Sequence, residues 1–461
     1  MADLAGFPYY PVEFDKAARP VDPAQTQAVL DAADPAAGLT DLFVVSHGWN
    51  NDMNDARALY AALFKQFRDG IDGGWVTGLA GRQFAVLGVF WPSKKFADED
   101  VIPGGAASLG SAAGTTPPAT SALAQQLDRL RGVFDHPEAE HLIDQAKTLL
   151  PSLEGSRAAQ TQFADLIRRL PNRVDGTKED ASDEFFSSQG DDLLKRLAAP
   201  STPALPGGFG LPAGSGGGAA GGLGQMRPPA GGLPAAGQGQ AAGFGDLLSG
   251  IAGGALNLLN YTTYYQMKER AGTIGVGPVN DLLGRIRAKN PALRIHLIGH
   301  SFGGRLVTAA LAGPQKFAPS TVTLLQAAFS HNGFSSNYDD KGSAGFFRTV
   351  VDEGRVNGPI LVSHSDKDVA VGRAYPLASR INGEQASALG DANDRYGGIG
   401  RNGAVKTQEA VKGKLLSVRE AGYAFTRGKI FNLNADARIG GHSDICKPEV
   451  AYAVLTAVAG A

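Results

Sequence analysis

Apolar and polar positions fall into two regimes along this chain. In residues 1–93 and 256–461, short continuous apolar runs alternate with stretches where apolar residues recur every three or four positions. The runs are DLFVVSH (41–47), QFAVLGVFW (83–91), RIHLIGH (294–300), TVTLLQAAF (321–329), PILVSH (359–364) and KIFNLN (429–434). Unbroken apolar runs predict strands buried on both faces of a parallel sheet. Between them lie the helical patterns MNDARALYAALFKQF, TTYYQMKERAG, VNDLLGRIRAKN, GRLVTAALAG, SAGFFRTVVDEG and KPEVAYAVLTAV. Strand–helix alternation predicts an α/β protein with a doubly wound, mostly parallel sheet.

The block between the two regimes differs. Residues 94–200 carry the amphipathic patterns SALAQQLDRLRGVF, EHLIDQAKTLL, RAAQTQFADLIRRL and DDLLKRLA, which predict a helical insertion and a possible lid. Residues 201–255 are rich in Gly, Pro and Ala, with few large apolar side chains to offset the entropy of ordering, so a flexible linker is expected. Loop-closure cost grows slowly with length, so a core can carry such an insert between two of its strands.

Composition narrows the function classes. With 43% apolar residues among 461, the chain can bury a sizeable core, and a net charge of −2 argues against a nucleic-acid binder. No run of like charge suggests a polybasic anchor. The single cysteine, Cys446, precludes an intrachain disulfide, and MADLAGFPYYPVEFD shows no basic-then-apolar leader. LLSGIAGGALNLL (247–259) is too short to span a bilayer, so no transmembrane segment is expected. A cytoplasmic protein is the expectation, with signal-independent export left open.

The chemistry concentrates at Gly299, His300, Ser301, Phe302 and Gly303, a G-x-S-x-G sequence. It directly follows the apolar run IHLI and precedes the helical pattern RLVTAAL. A nucleophile needs that setting: a strained strand-to-helix turn lifts the serine oxygen above the sheet, where the helix N-terminus favours developing negative charge. His300, beside the serine in sequence, points away from it and is expected to pack or to orient. A serine hydroxyl needs a base, and the base needs a carboxylate to hold its tautomer. With a strand–elbow serine these follow in the order acid, then base. His331 comes too early and His364 precedes the candidate acids. His442, after the last strand, is the expected base. The acid is expected just past PILVSH, where Asp366 and Asp368 compete. Asp444 is expected to cap the last helix. Trp49 and Phe302 are assigned the two backbone N–H donors of an oxyanion hole, the former on the HGWNND loop after the first strand. That loop also carries a helix cap, at Asn51 or Asp52. No metal is expected: His442 and Cys446 lie four apart, with no second ligand pair nearby.

HGWNND after one strand, FWPS after the next, YYQMKERAG, GHSFGG, HSDKD and HSD together resemble the α/β-hydrolase superfamily over about 1–93 and 256–461. More narrowly, the chain resembles poorly characterised bacterial esterase- or lipase-like hydrolases in which an HGYN-type loop is followed by a strand ending in WPS. HSDKDVAV is similar to the H-G-x-x-D-x-x-V stretch of such hydrolases, which places the acid at Asp368 rather than Asp366, with Ser365 where that pattern has glycine. The resemblance implies a Ser301–Asp368–His442 triad and no cofactor, but it does not carry the substrate. A small-molecule or lipid-like carboxylic ester is the expectation, with His47, Gly48, Asn50 and Trp91 as substrate-binding residues and entry past Trp49, Trp91 and the insert. The same fold hosts peptidases and acyltransferases. An idle scaffold that binds a protein partner through the insert is the alternative from another class.

Overall fold

The computed structural model describes residues 2–49, 51–93, 119–171, 179–198, 250–368, 370–371 and 392–461. The strands are β1 (Ala2–Leu4), β2 (Phe7–Glu13), β3 (Asp41–Ser46), β4 (Phe84–Phe90), β5 (Arg294–His300), β6 (Thr321–Leu325), β7 (Ile360–His364), β8 (Ala410–Lys414) and β9 (Ile430–Asn434). They form a nine-stranded sheet in the order β1-β2-β4-β3-β5-β6-β7-β9-β8. Every pairing is parallel except β1 with β2. The fold is therefore α/β, with a mostly parallel sheet. The order reverses beside β3, so the carboxyl ends of β3 and β5 stand side by side where helices leave to opposite faces. A crevice forms at such a point.

The helices are α1 (Pro23–Ala32), α2 (Met53–Asp72), α3 (Ala119–Arg129), α4 (Ala139–Leu149), α5 (Arg157–Arg168), α6 (Ser182–Ser187), α7 (Gly190–Ala198), α8 (Gly250–Ile274), α9 (Asn280–Lys289), α10 (Phe302–Ala312), α11 (Arg348–Asp352), α12 (Ile399–Asn402) and α13 (Pro448–Ala459). They cover the two faces of the sheet with two separate apolar cores. One face takes α2 and α13. In α2 the buried Ala56, Tyr60, Leu63, Phe64 and Phe67 recur at helical spacing and make one stripe against the sheet. Asp52 starts this helix as a capping box with Asp55. The other face takes α1, α8, α9 and α10.

Helices of the insertion join that second core rather than forming their own. Helices α3, α5 and α7 pack against α8, and α4 packs on α5. Ion pairs fix the contact, Asp135 with Arg270 at 2.6 Å and Asp180 with Lys268. Phe185 and Phe186 stack on Tyr265, at centroid distances of 4.9 and 5.4 Å. Helix α8 begins at Gly250, so the predicted linker 201–255 gives up its last six residues to a helix; the rest of the Gly-rich tract lies outside the described residues. Through the π-turn Gly275–Val279, α8 runs on into α9. No helix among the described residues is long and apolar enough to cross a membrane.

Candidate active site

The site stands at the carboxyl ends of the central strands. Ser301 lies between β5 and α10 with φ 55° and ψ −124°, a conformation that costs a non-glycine residue about 1–3 kcal/mol. Its surroundings hold it there. The Ser301 N–H donates to the Leu325 carbonyl at 3.1 Å, and its own carbonyl accepts from Gly304 and Ala328, both at 2.9 Å. Gly303 is needed because a Cβ there would run into the Ser46 carbonyl, where α10 crosses β3.

Two side chains from distant segments meet the serine. His442, in the loop after β9, places Nε2 2.8 Å from Ser301 Oγ. Its Nδ1 lies 2.9 Å from Oδ2 of Asp368, in the loop after β7. With the proton on Nδ1 donated to the carboxylate, Nε2 is left to accept the serine O–H. Asp368 is fully buried, its other oxygen accepting the Val371 N–H at 2.9 Å. Of the two competing acids it is Asp368 that faces the ring. Asp366 is exposed, its N–H given to Asp436 and its carbonyl taken by Arg401.

His300 supports His442 from behind. Its Nε2 lies 3.0 Å from the His442 carbonyl, and the two rings stand 4.9 Å apart. Burial pushes its imidazole down to about 3, so the ring is neutral and Nε2–H is the donor. Asp444 does not cap α13, as the sequence had suggested. That helix starts at Pro448, its N-cap residue Lys447 makes no side-chain cap, and Asp444 instead accepts from the Gly440 N–H at 2.9 Å and pairs with Lys447 at 2.7 Å, tying down the loop that carries His442.

On the opposite side of the serine, β3 runs out into His47, Gly48 and Trp49. Gly48 packs directly on Ser301: a Cβ there would lie 2.6 Å from Ser301 Cβ. Among the described residues, neither the Trp49 nor the Phe302 N–H donates to a protein acceptor. For Phe302 this follows from its place as the first residue of α10, which has no intrahelical partner.

The expected substrate contacts need correction. His47 and Trp91 are only 1% and 3% exposed, and they bond to each other instead of lining a path. Their rings stack at 5.5 Å, and the Trp91 indole donates to the His47 carbonyl at 3.1 Å. Asn50 lies outside the described residues. Two neighbours were not anticipated from the sequence. Tyr264 of α8 lays its ring 5.2 Å from that of Phe302 and so links the insertion's aromatic cluster to the elbow. Tyr60 of α2 accepts the His47 N–H at 2.8 Å and donates to the Val89 carbonyl at 2.6 Å. Both sit inside helical apolar patterns, where an aromatic residue carries no separate signal. Among the described residues no three His, Cys, Asp or Glu side chains converge to hold a metal ion.

The chain matches no protein-family model, no curated protein and no solved structure.

Proposed function

We propose that this chain is a serine hydrolase of the α/β-hydrolase type that cleaves a carboxylic ester through an acyl-enzyme on Ser301. The observation that carries the reading is the unbroken relay from Ser301 Oγ through both nitrogens of His442 to Asp368, at 2.8 and 2.9 Å. Ser301 attacks the ester carbonyl as His442 Nε2 takes its proton, and Asp368 stabilises the imidazolium. The carbonyl oxygen, now negative, lies against the N–H groups of Trp49 and Phe302. His442 passes its proton to the departing alkoxide, leaving an acyl group on Ser301. Water then gives a proton to His442 and attacks the acyl carbon. The proton returns to Ser301 as the carboxylic acid leaves.

The test is hydrolysis of a p-nitrophenyl ester together with labelling by a fluorophosphonate. The expected adduct maps to Ser301, and Ser301→Ala loses about a million-fold in kcat. A Ser301→Ala protein that hydrolyses the ester at the parental rate sinks the proposal.

A further inference from the structure

His47 and the β4 end sequence Trp91-Pro92-Ser93 are far apart in the chain yet interlock in space. Trp91 donates its backbone N–H to His47 Nε2 at 3.3 Å. That bond makes Nε2 an acceptor and puts the ring proton on Nδ1, which lies 2.9 Å from the Gly48 carbonyl. The ring cannot swing away, because it is buried and stacked on the Trp91 indole at an interplanar angle of 10°. A second donor reaches the same carbonyl: Asn51 Nδ2, at 3.2 Å. Asn51 is itself held by Ser93, whose hydroxyl donates to the Asn51 carbonyl at 2.9 Å and accepts its N–H at 3.3 Å.

The carbonyl held in this way belongs to the peptide whose other end is the Trp49 N–H. In a planar trans peptide C=O and N–H point in opposite directions, so fixing one fixes the other. Gly48 packs on Ser301, which puts this peptide beside the nucleophile. Donors to a developing oxyanion must be held within roughly 10–20° of the productive direction. A loop peptide with a free carbonyl has no such constraint.

We propose that His47 is a positioning residue: through its Nδ1–H bond to Gly48 it holds the Trp49 N–H aimed at the place where the oxyanion forms. The role rests on the hydrolase reading above. It explains why the HGWNN loop and the WPS strand end occur together, since each supplies what orients the other. Burial also keeps His47 neutral, pushing its imidazole down to about 4, so the tautomer holds across the ordinary working range of pH.

Two substitutions separate this role from simple packing. His47→Asn places an amide N–H where Nδ1 stands and loses the acceptor for Trp91. His47→Gln reaches the ε position as an acceptor and loses the donor to Gly48. For a p-nitrophenyl ester, His47→Asn is expected within about tenfold of the parent, whereas His47→Gln loses roughly a hundred- to a thousand-fold in kcat at little-changed KM. A trifluoromethyl ketone, whose hemiketal oxygen sits in the same place, is expected to weaken by the same factor in His47→Gln alone. Equal rates in the two variants, whether both fast or both slow, overturn the proposal. Should either fail to melt cooperatively, Asn51→Ala removes the other donor to the same carbonyl from a half-buried position. It is expected to lower kcat several-fold, and an unchanged kcat overturns the proposal as well. A parent active on the ester, with Ser301→Ala silent, leaves the hydrolase reading standing whichever way these variants fall. A parent inert to both ester and fluorophosphonate takes down the reading and this role together.

Discussion

The sheet carries two relays of hydroxyl, histidine and carboxylate, one at each end of its central strands. At the carboxyl end Ser301, His442 and Asp368 are linked at 2.8 and 2.9 Å. At the amino end Thr321, His296 and Asp41 are linked at 2.9 and 3.0 Å. Distance does not tell them apart. His296 is fully buried, while the His442 side chain keeps 21% of its surface exposed. Thr321 lies in regular parallel pairing opposite His296, so its backbone N–H and C=O belong to the ladder. Ser301 stands on a left-handed turn beside two N–H groups that, among the described residues, reach no acceptor. Asp41 is bonded by Arg82 and Thr40 as well as by His296. Burial alone would raise its carboxyl, but these hydrogen bonds outweigh it and hold the group well below the usual range. The lower relay is an electrostatic clamp between strand ends; the upper one is partly open to solvent, and on the proposed reading its N–H groups receive the developing charge.

Exchanging the carboxylates breaks the comparison most sharply. Asp368→Asn turns the wrong face of an amide toward His442 Nδ1, stabilising the unproductive tautomer. It is expected to lower kcat for a p-nitrophenyl ester by about 10⁴ while leaving the melting transition in place. Asp41→Asn is expected to do the reverse. It leaves the mostly buried Arg82 guanidinium short of a counter-charge, which costs on the order of 3–5 kcal/mol. Chemical denaturation reads that loss, and kcat per folded molecule stays within a few-fold of the parent. If Asp41→Asn melted like the parent and lost turnover, the division of labour between the two ends would be wrong.

How much of this was legible in the sequence follows from where the signals lie. The buried strands β3, β4, β5 and β6 announce themselves because both faces are apolar. β2 was missed because Pro8 and Pro11 interrupt FPYYPVE. The sheet tolerates Pro8 because the partner there is only the three-residue β1. β8 was missed because AVKGK is an exposed edge strand whose lysines carry no core pattern. The run TVTLLQAAF is strand only to Leu325, since Gln326 turns to φ 43° and the chain leaves the sheet. At the site, the elbow could be read because backbone strain demands small residues at set positions. The clamp of His47 on Gly48 could not, because it depends on a tautomer set by a backbone N–H forty-four residues away. His296 and Thr321 had no signal for the same reason: each is an ordinary strand residue until the register sets them side by side.

The smallest expected effect concerns how the insertion meets α10, the helix that follows Ser301. Glu179, just ahead of α6 in the insertion, is buried and accepts the Phe346 N–H at 2.7 Å. It shares a small cavity with Asp180, Lys268 of α8 and Arg305 of α10. Burial raises its carboxyl to about 7, with Asp180 adding to the shift and Lys268 opposing it. The folded form therefore holds a proton that the unfolded chain gives up near 4.5. This group costs nothing below about 4.5, and the cost grows as pH rises to about 7, by on the order of 1–3 kcal/mol. Glu179→Gln keeps an acceptor for Phe346 and removes the charge. The variant is expected to match the parent at pH 4.5 and to exceed it in unfolding free energy at pH 8. The charges that act on Glu179 are Asp180 and Lys268, not the His442–Asp368 pair, so the pH profile of kcat should not move with it. A stability gain at pH 4.5 equal to that at pH 8 would mean that the amide packs better for reasons unrelated to charge. The insertion would then be fastened by its aromatic and ion-pair contacts to α8 alone.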